Sequence, residues 1–325
     1  MFTGDLQILA IPAFIIGILF LYKGSDMLVD GVSKTAAQLG ISALIISVLL
    51  VGFGTSAPEF AISAGAAIQN NSDISLGNII GSCIANLLLV LGISSIIRPI
   101  KIKKGIIKRE MPIVLAATVI LVAFSALSLL DDYHLIGGIL FLIFFLIFVL
   151  FFVYCARKER DNNLKIETGK TTKNMVFIIF GIALVVGGAW LLIESATTIA
   201  TILNISPFVI ALSMVAIGTS LPELVVSAVA SHRGESDIAV GNVLGSNVFN
   251  IFLILGFAAL FIPLNANATG SLANIIILFA VTLIMVPICC SGHTISRFEG
   301  SIMLVLYGVY IWYIFAGQEI VLNMI

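Results

Sequence analysis

The sequence predicts an all-α integral membrane protein of ten transmembrane helices, built as two inverted five-helix repeats. Three observations carry that prediction: an apolar composition, the placement of the basic residues, and an internal duplication. Of 325 residues, 60% are hydrophobic and only 10% are charged, and the mean hydropathy is +1.19. A soluble domain carries about 25% charged residues, so a water-facing surface is excluded. Apolar stretches of about twenty residues recur along the chain, each long enough to cross the hydrocarbon core.

The expected spans run near 8–30, 41–68, 74–97, 111–130, 135–155, 175–199, 206–231, 238–262, 271–290 and 300–318. Met1 to Asp5 holds no basic n-region and no small-residue cleavage site follows, so the first span is expected to be retained. A polar linker, residues 157–173, separates a first repeat over 1–156 from a second over 174–325.

The basic residues test the span count. Arg98, Lys101, Lys103, Lys104, Lys108 and Arg109 follow the third span, and Arg157, Lys158, Arg160, Lys165, Lys170 and Lys173 follow the fifth. Lys34, Arg233 and Arg297 follow the first, seventh and ninth. All therefore fall after odd-numbered spans, which puts them on one side; only Lys23, which can snorkel, is left over. The positive-inside rule makes that side cytoplasmic and both termini extracellular. Loops after even spans carry Asp73, Asp131 and Asp132 but no Lys or Arg.

Residues 52–92 align without a gap to residues 216–256 at a constant offset of 164, which also pairs Gly17 with Gly181 and Gly24 with Gly188. Five spans is an odd number, so the two copies cross the membrane in opposite senses, an architecture that places a site at mid-membrane between the halves. Each copy carries Gly-Thr-Ser-x-Pro-Glu: Gly54, Thr55, Ser56, Pro58, Glu59 and Gly218, Thr219, Ser220, Pro222, Glu223. Proline lacks an amide hydrogen and glycine loosens the helix, so carbonyls near Gly52–Thr55 and Ala216–Thr219 are expected to lose helical partners and serve as oxygen ligands.

The following span adds Asn78, Ser82 and Asn86 in one copy and Asn242, Ser246 and Asn250 in the other. Two carboxylates with hydroxyl, amide and carbonyl oxygens, and no sulfur or imidazole, suit hard cations such as Ca2+ or Na+ rather than Zn2+ or Cu2+. A single Pro-kinked helix bearing Ser and Thr reads equally well as packing. Two aligned copies with an intramembrane glutamate each favour function. Asn78 and Asn242 read as helix-to-helix ties, and Asp26, Asp30 and Glu194 as interfacial acids. Cys83, whose counterpart is Asn247, reads as packing. His134, His232 and His293 fall in loops, and no Cys/His cluster points to zinc or redox chemistry.

At these two motifs the sequence resembles the Na+/Ca2+ exchanger family of the calcium/cation antiporter superfamily, in a transport-core form. The resemblance covers essentially the whole chain. It implies an antiporter rather than an enzyme, with no cofactor and with Ca2+ and Na+ as transported ions. It implies a central Ca2+ site of Glu59 and Glu223 with the Thr55 and Thr219 carbonyls. Na+ sites would use Ser56, Ser82, Ser220 and Ser246 with carbonyls near Gly52 and Ala216, and Asn86 and Asn250 would complete the middle. Some relatives have Asp at the position of Asn250, whose neutrality argues by resemblance against K+ co-transport.

The expected partners are Ca2+, Na+ and membrane lipid, with no nucleic acid and a monomer as working unit. Spans 8–30 and 175–199 are expected to slide on a surface smoothed by Gly17, Gly24, Gly31, Gly181, Gly187 and Gly188. A Ca2+/H+ antiporter and a cation channel remain as alternatives, and an intramembrane hydrolase lacks a catalytic dyad.

Overall fold

A computed structural model of the chain describes residues 9–159, 168–202, 218–290 and 292–322. Helices stand at each expected span: α1 (Ala10–Leu39), the bent pair α2 (Ala43–Thr55) and α3 (Ala57–Ile68), α4 (Ser72–Ile97), α5 (Met111–Ala126), α6 (His134–Glu159), α7 (Thr168–Ile202), α8 (Leu221–Arg233), α9 (Ser236–Ala259), α10 (Thr269–Cys290) and α11 (Arg297–Leu322). The seventh expected span, 206–231, is described only from Gly218. By length and apolarity alone, six of these helices and the bent pair qualify as membrane-crossing. The linker expected at 157–173 is helical at both margins, since α6 runs to Glu159 and α7 begins at Thr168.

The chain is apolar outside and polar inside, the arrangement a lipid solvent selects. On α6, Leu146, Ile147 and Leu150 are more than half exposed, whereas Thr55, Glu59, Asn86, Glu223 and Asn250 are fully buried. A phenylalanine cluster fills the space between α5, α6 and α9, with Phe124 stacked on Phe141 at 4.8 Å and Phe148 edge-on to Phe249 at 6.0 Å.

Helices α1 and α7 pack antiparallel through glycines seven residues apart. A Cβ built on Gly17 would lie 3.0 Å from the Gly188 carbonyl oxygen, and one on Gly24 would lie 2.9 Å from that of Gly181. Gly31 likewise meets the Asn174 carbonyl. The offset of 164 maps the first of these contacts onto the second, so the pair has the twofold relation expected of inverted copies. Gly187 is the exception to the expected surface: a Cβ built on it would meet nothing within 4 Å, because the position faces away from α1.

Each end of the bundle is tied by its own loops. At one end Arg233 pairs with Asp26 (3.4 Å), Lys103 with Asp237, and Arg109 with Glu159 (3.1 Å). Glu159 accepts from the Ser42 amide, and Arg98 reaches the His232 carbonyl. A two-residue ladder there joins β1 (Ile100–Lys101) to β2 (Thr294–Ile295). At the other end Asp131 accepts from the amides of Ala266 and Asn267, and Asn265 donates to Ser72. Asp26 and Asp30 are thus engaged by Arg233 and Lys34, in keeping with an interfacial place.

Since the Gly181 position touches the backbone of Gly24 and Leu28, Gly181→Val must separate α1 from α7. The expected cost is about 1–3 kcal/mol, read as a lower melting temperature of the detergent-solubilised protein. An unchanged melting temperature would show that the two helices do not touch there.

Candidate functional site

The Gly-Thr-Ser-x-Pro-Glu motif is where a helix stops and restarts. The bend between α2 and α3 is 47°, with Ser56 at the break and Pro58 in the first turn of α3. Proline is tolerated there because first-turn amides have no helical acceptor. Glu59 therefore stands at the start of a helix, where the partial positive charge of the free amides favours an anion. The second copy repeats the restart, since α8 begins after Ser220 with Pro222 and Glu223 in its first turn.

The expectation for Gly52 is corrected in one respect. Its carbonyl keeps its helical partner, the Ser56 amide (3.2 Å), and also lies 3.2 Å from the Ser246 hydroxyl. The bend opens two residues later, because Pro58 has no N–H to offer Gly54.

Of the expected site residues, Thr55, Ser56, Glu59, Ser82, Asn86, Thr219, Ser220, Glu223, Ser246 and Asn250 are all at most 4% exposed, and Gly52 is buried. Ala216 lies outside the described residues. Helices α2 and α9 approach closely enough for this because Gly245 rests on the Val48 backbone and Gly241 on the Leu44 carbonyl.

Two interlocked hydrogen-bond sets hold the cage. The Thr55 hydroxyl donates to Asn242 Oδ1 (3.0 Å) and lies 3.4 Å from the Ser246 hydroxyl. In the same relation, Thr219 lies 3.4 Å from Asn78 Oδ1 and 3.2 Å from the Ser82 hydroxyl. Asn78 Nδ2 donates to the Ser63 hydroxyl (2.9 Å) and the Glu59 carbonyl (3.4 Å). Asn242 Nδ2 donates to Ser227 (3.0 Å) and the Glu223 carbonyl (3.3 Å). Asn78 and Asn242 thus tie each glutamate-bearing helix to the next span, as helix-to-helix ties should.

The two carboxylates are not equivalent. Glu223 Oε1 accepts from Ser56 (3.1 Å) and Ser246 (3.2 Å), while its Oε2 has no protein partner. Neither oxygen of Glu59 has one within hydrogen-bond distance, the nearby hydroxyls of Ser82 and Thr219 standing farther off, nor does the Ser220 hydroxyl or either amide atom of Asn250. Neither glutamate pairs with a Lys or Arg among the described residues. An ionised carboxylate at this depth costs at least several kcal/mol unless compensated. The arrangement therefore requires a positive charge between α3 and α8, carried by a cation or by protons. Hydroxyls, amide oxygens and carboxylates around that point form a hard-oxygen coordination set. Among the described residues no cluster of three His, Cys, Asp or Glu exists, and all four cysteines are unpaired.

Three residues of the network went unrecognised in the sequence. Ser63 and Ser227, the partners of the two asparagines, occupy equivalent positions in the aligned copies, and that identity was the available signal. Asn247 binds Asn86 and carried no signal beyond its mismatch with Cys83.

The chain is similar to known proteins along nearly its whole length. The model of the family described as sodium/calcium exchanger protein matches residues 9–154 and 173–316. The sodium/calcium exchanger MaX1 of Methanosarcina acetivorans is 32% identical, over 93% of this chain and 97% of that one. The inner membrane protein YrbG of Escherichia coli is 33% identical, over 87% and 89%. A solved structure of the sodium-calcium exchanger NCX_Mj superposes with a TM-score of 0.82 at 34% identity, covering 94% of this chain and 98% of that chain.

Asn242→Leu should destabilise the protein by about 1–3 kcal/mol, because it strips a buried donor from Ser227 and a buried acceptor from Thr55. Asn78→Leu should cost a similar amount, given the matching contacts. Thermal unfolding in detergent reads both, and sharply unequal losses would contradict the twofold relation.

Proposed function

The chain belongs to the sodium/calcium exchanger protein family, and on that premise we propose that it exchanges Ca2+ for Na+ across the membrane, with Glu59 and Glu223 as the carboxylates that hold the transported ion. The family is one of transporters, and the two ions are its substrates rather than cofactors. The observation that carries the site assignment is the pair of fully buried glutamates, one with both oxygens and the other with one oxygen lacking a protein partner.

Two negative charges balance one divalent cation. Ca2+ accepts six to eight oxygens at 2.3–2.6 Å in flexible geometry, and Glu59, Glu223 and the carbonyls of Thr55 and Thr219 supply its core. The hydroxyls of Ser56, Ser82, Ser220 and Ser246, with carbonyls near Gly52 and Ala216, offer flanking positions for Na+. Asn86 and Asn250 complete the middle. Ions of both kinds draw on one ligand set, so occupancy by one opposes occupancy by the other. That competition is the physical basis of exchange.

Movement follows from the same charge balance. Sliding α1 and α7 across the block that carries the site would expose it to one side and then the other. The glycine contacts between the two helices support this, since at Gly17, Gly24, Gly181 and Gly188 each helix meets the backbone of the other directly. An empty site leaves two unpaired carboxylates in low dielectric, so only loaded states cross readily. The chain divides into repeats over 1–156 and 174–325 joined by 157–173, and it works as a monomer embedded in lipid. The basic end, tied by Arg98, Lys103, Arg109 and Arg233, faces the cytoplasm, which leaves both termini outside.

The deciding measurement is Ca2+ uptake into proteoliposomes driven by an outward Na+ gradient with pH clamped on both sides. Uptake should require the Na+ gradient and be abolished by Glu59→Gln or Glu223→Gln. Uptake that follows an imposed pH gradient and ignores Na+ would instead identify proton coupling, and normal exchange in either variant would remove that glutamate from the site.

A further inference from the structure

The one break in the duplicated motif, Cys83 opposite Asn247, coincides with an asymmetry in the site. Asn247 Nδ2 donates to the Cys83 carbonyl (3.3 Å), and Asn247 Oδ1 accepts from Asn86 Nδ2 (3.1 Å). All three residues are fully buried. A backbone carbonyl can only accept, so it dictates which way the Asn247 amide faces. Asn247 then presents its oxygen, and Asn86 must answer with its nitrogen. Turning the Asn86 amide over would set two oxygens against each other. The Asn86 oxygen, which has no protein partner, is thereby aimed away from Asn247 and held there.

Asn250, the counterpart of Asn86, has only a weaker hold. The residue equivalent to Asn247 on its side is Cys83, whose thiol makes only a long contact to the Asn247 carbonyl (3.9 Å) and, as a weak donor and weak acceptor, holds the Asn250 amide more loosely than an amide would. Both amide atoms of Asn250 lack partners. Asn250 also lies within a π-helical segment, Phe249–Ile254, while Asn86 opens the matching one, Asn86–Val90.

We propose that Asn247 is a positioning residue that makes Asn86 a preset oxygen ligand, while Cys83 leaves Asn250 an adjustable one, and that this division sets the preference between Ca2+ and Na+. The proposal rests on the exchange reading above. A preset oxygen favours the ion that needs the larger shell, Ca2+. An amide that can turn lets the number of ligating oxygens change when Na+ takes its place, since Ca2+ and Na+ then need not share one fixed shell.

The test compares wild type with Asn247→Cys, Asn247→Ser, Cys83→Asn and the double exchange C83N/N247C, all reconstituted in liposomes. Half-saturating Ca2+ and half-inhibiting Na+ are measured for each. In parallel, the melting temperature in detergent is followed with added Ca2+ or Na+, a readout independent of transport. Releasing Asn86 in N247C or N247S should raise half-saturating Ca2+ about fivefold with a smaller change for Na+, the effect expected for loss of one orienting hydrogen bond. The double exchange rebuilds the relay from the opposite repeat, fastening Asn250 instead, and should bring the Ca2+-to-Na+ ratio back to within about twofold of wild type.

A ratio unchanged in both Asn247 variants, or a double variant no better than the worse single one, would overturn the positioning role. Wild-type liposomes without Na+-driven Ca2+ uptake would overturn the exchange reading instead.

Discussion

The structure is organised around two acids in a medium that does not tolerate them. Glu59 and Glu223 are removed from water entirely, and the protein supplies no cationic side chain to answer them among the described residues. What it supplies is weaker and tunable: helix starts beneath both carboxylates, and hydroxyls from Ser56 and Ser246 on one of them. First-turn placement contributes about 0.3–1 kcal/mol per anion at exposed sites and up to ~2 where partly buried. That falls short of the cost of ionising both groups in the bilayer core. The shortfall is what makes the pair dependent on a mobile positive charge, and a permanent Lys or Arg in the same place would have abolished that dependence.

Much of this was legible in the sequence because duplication doubles every signal. A lone Pro-Glu in an apolar run is ambiguous, but Thr55, Ser56, Glu59, Ser82 and Asn86 recurring 164 residues later are not. The glycine face of α1 and α7 was readable for the same reason. Three features were not. Gly187 follows the glycine pattern but faces away from α1, since neighbours on a helix point about 100° apart and Gly188 already occupies the contact. The Gly52 carbonyl keeps its helical partner because the amide four residues on belongs to Ser56, whereas the carbonyl of Gly54 faces Pro58, which has no amide hydrogen. The unequal treatment of Glu59 and Glu223 arises from side-chain orientation within a nearly symmetric sequence, and residue identity does not encode it.

The two ends of the bundle do different work from its middle. Their ion pairs, such as Arg233 with Asp26 and Arg109 with Glu159, are partly exposed and contribute little individually. They fix how loops from distant parts of the chain meet rather than how firmly the bundle holds. Close packing of α2 on α9 through Gly241 and Gly245 holds the middle, and it is there that contacts decide ligand positions.

The π-helical segments have a consequence of their own. Ser47–Val51 lies immediately before the last turn of α2, which carries Thr55 and leads into the bend ahead of Glu59. Such a segment accommodates one residue more than an α-helix of the same rise. Losing that residue would swing everything downstream by about 100° around the helix axis, leaving the sequence nearly intact while turning the acid away from its partner. The spacing between span entry and glutamate is therefore as much a part of the binding chemistry as the glutamate itself, and length changes in this stretch should be far less tolerated than substitutions.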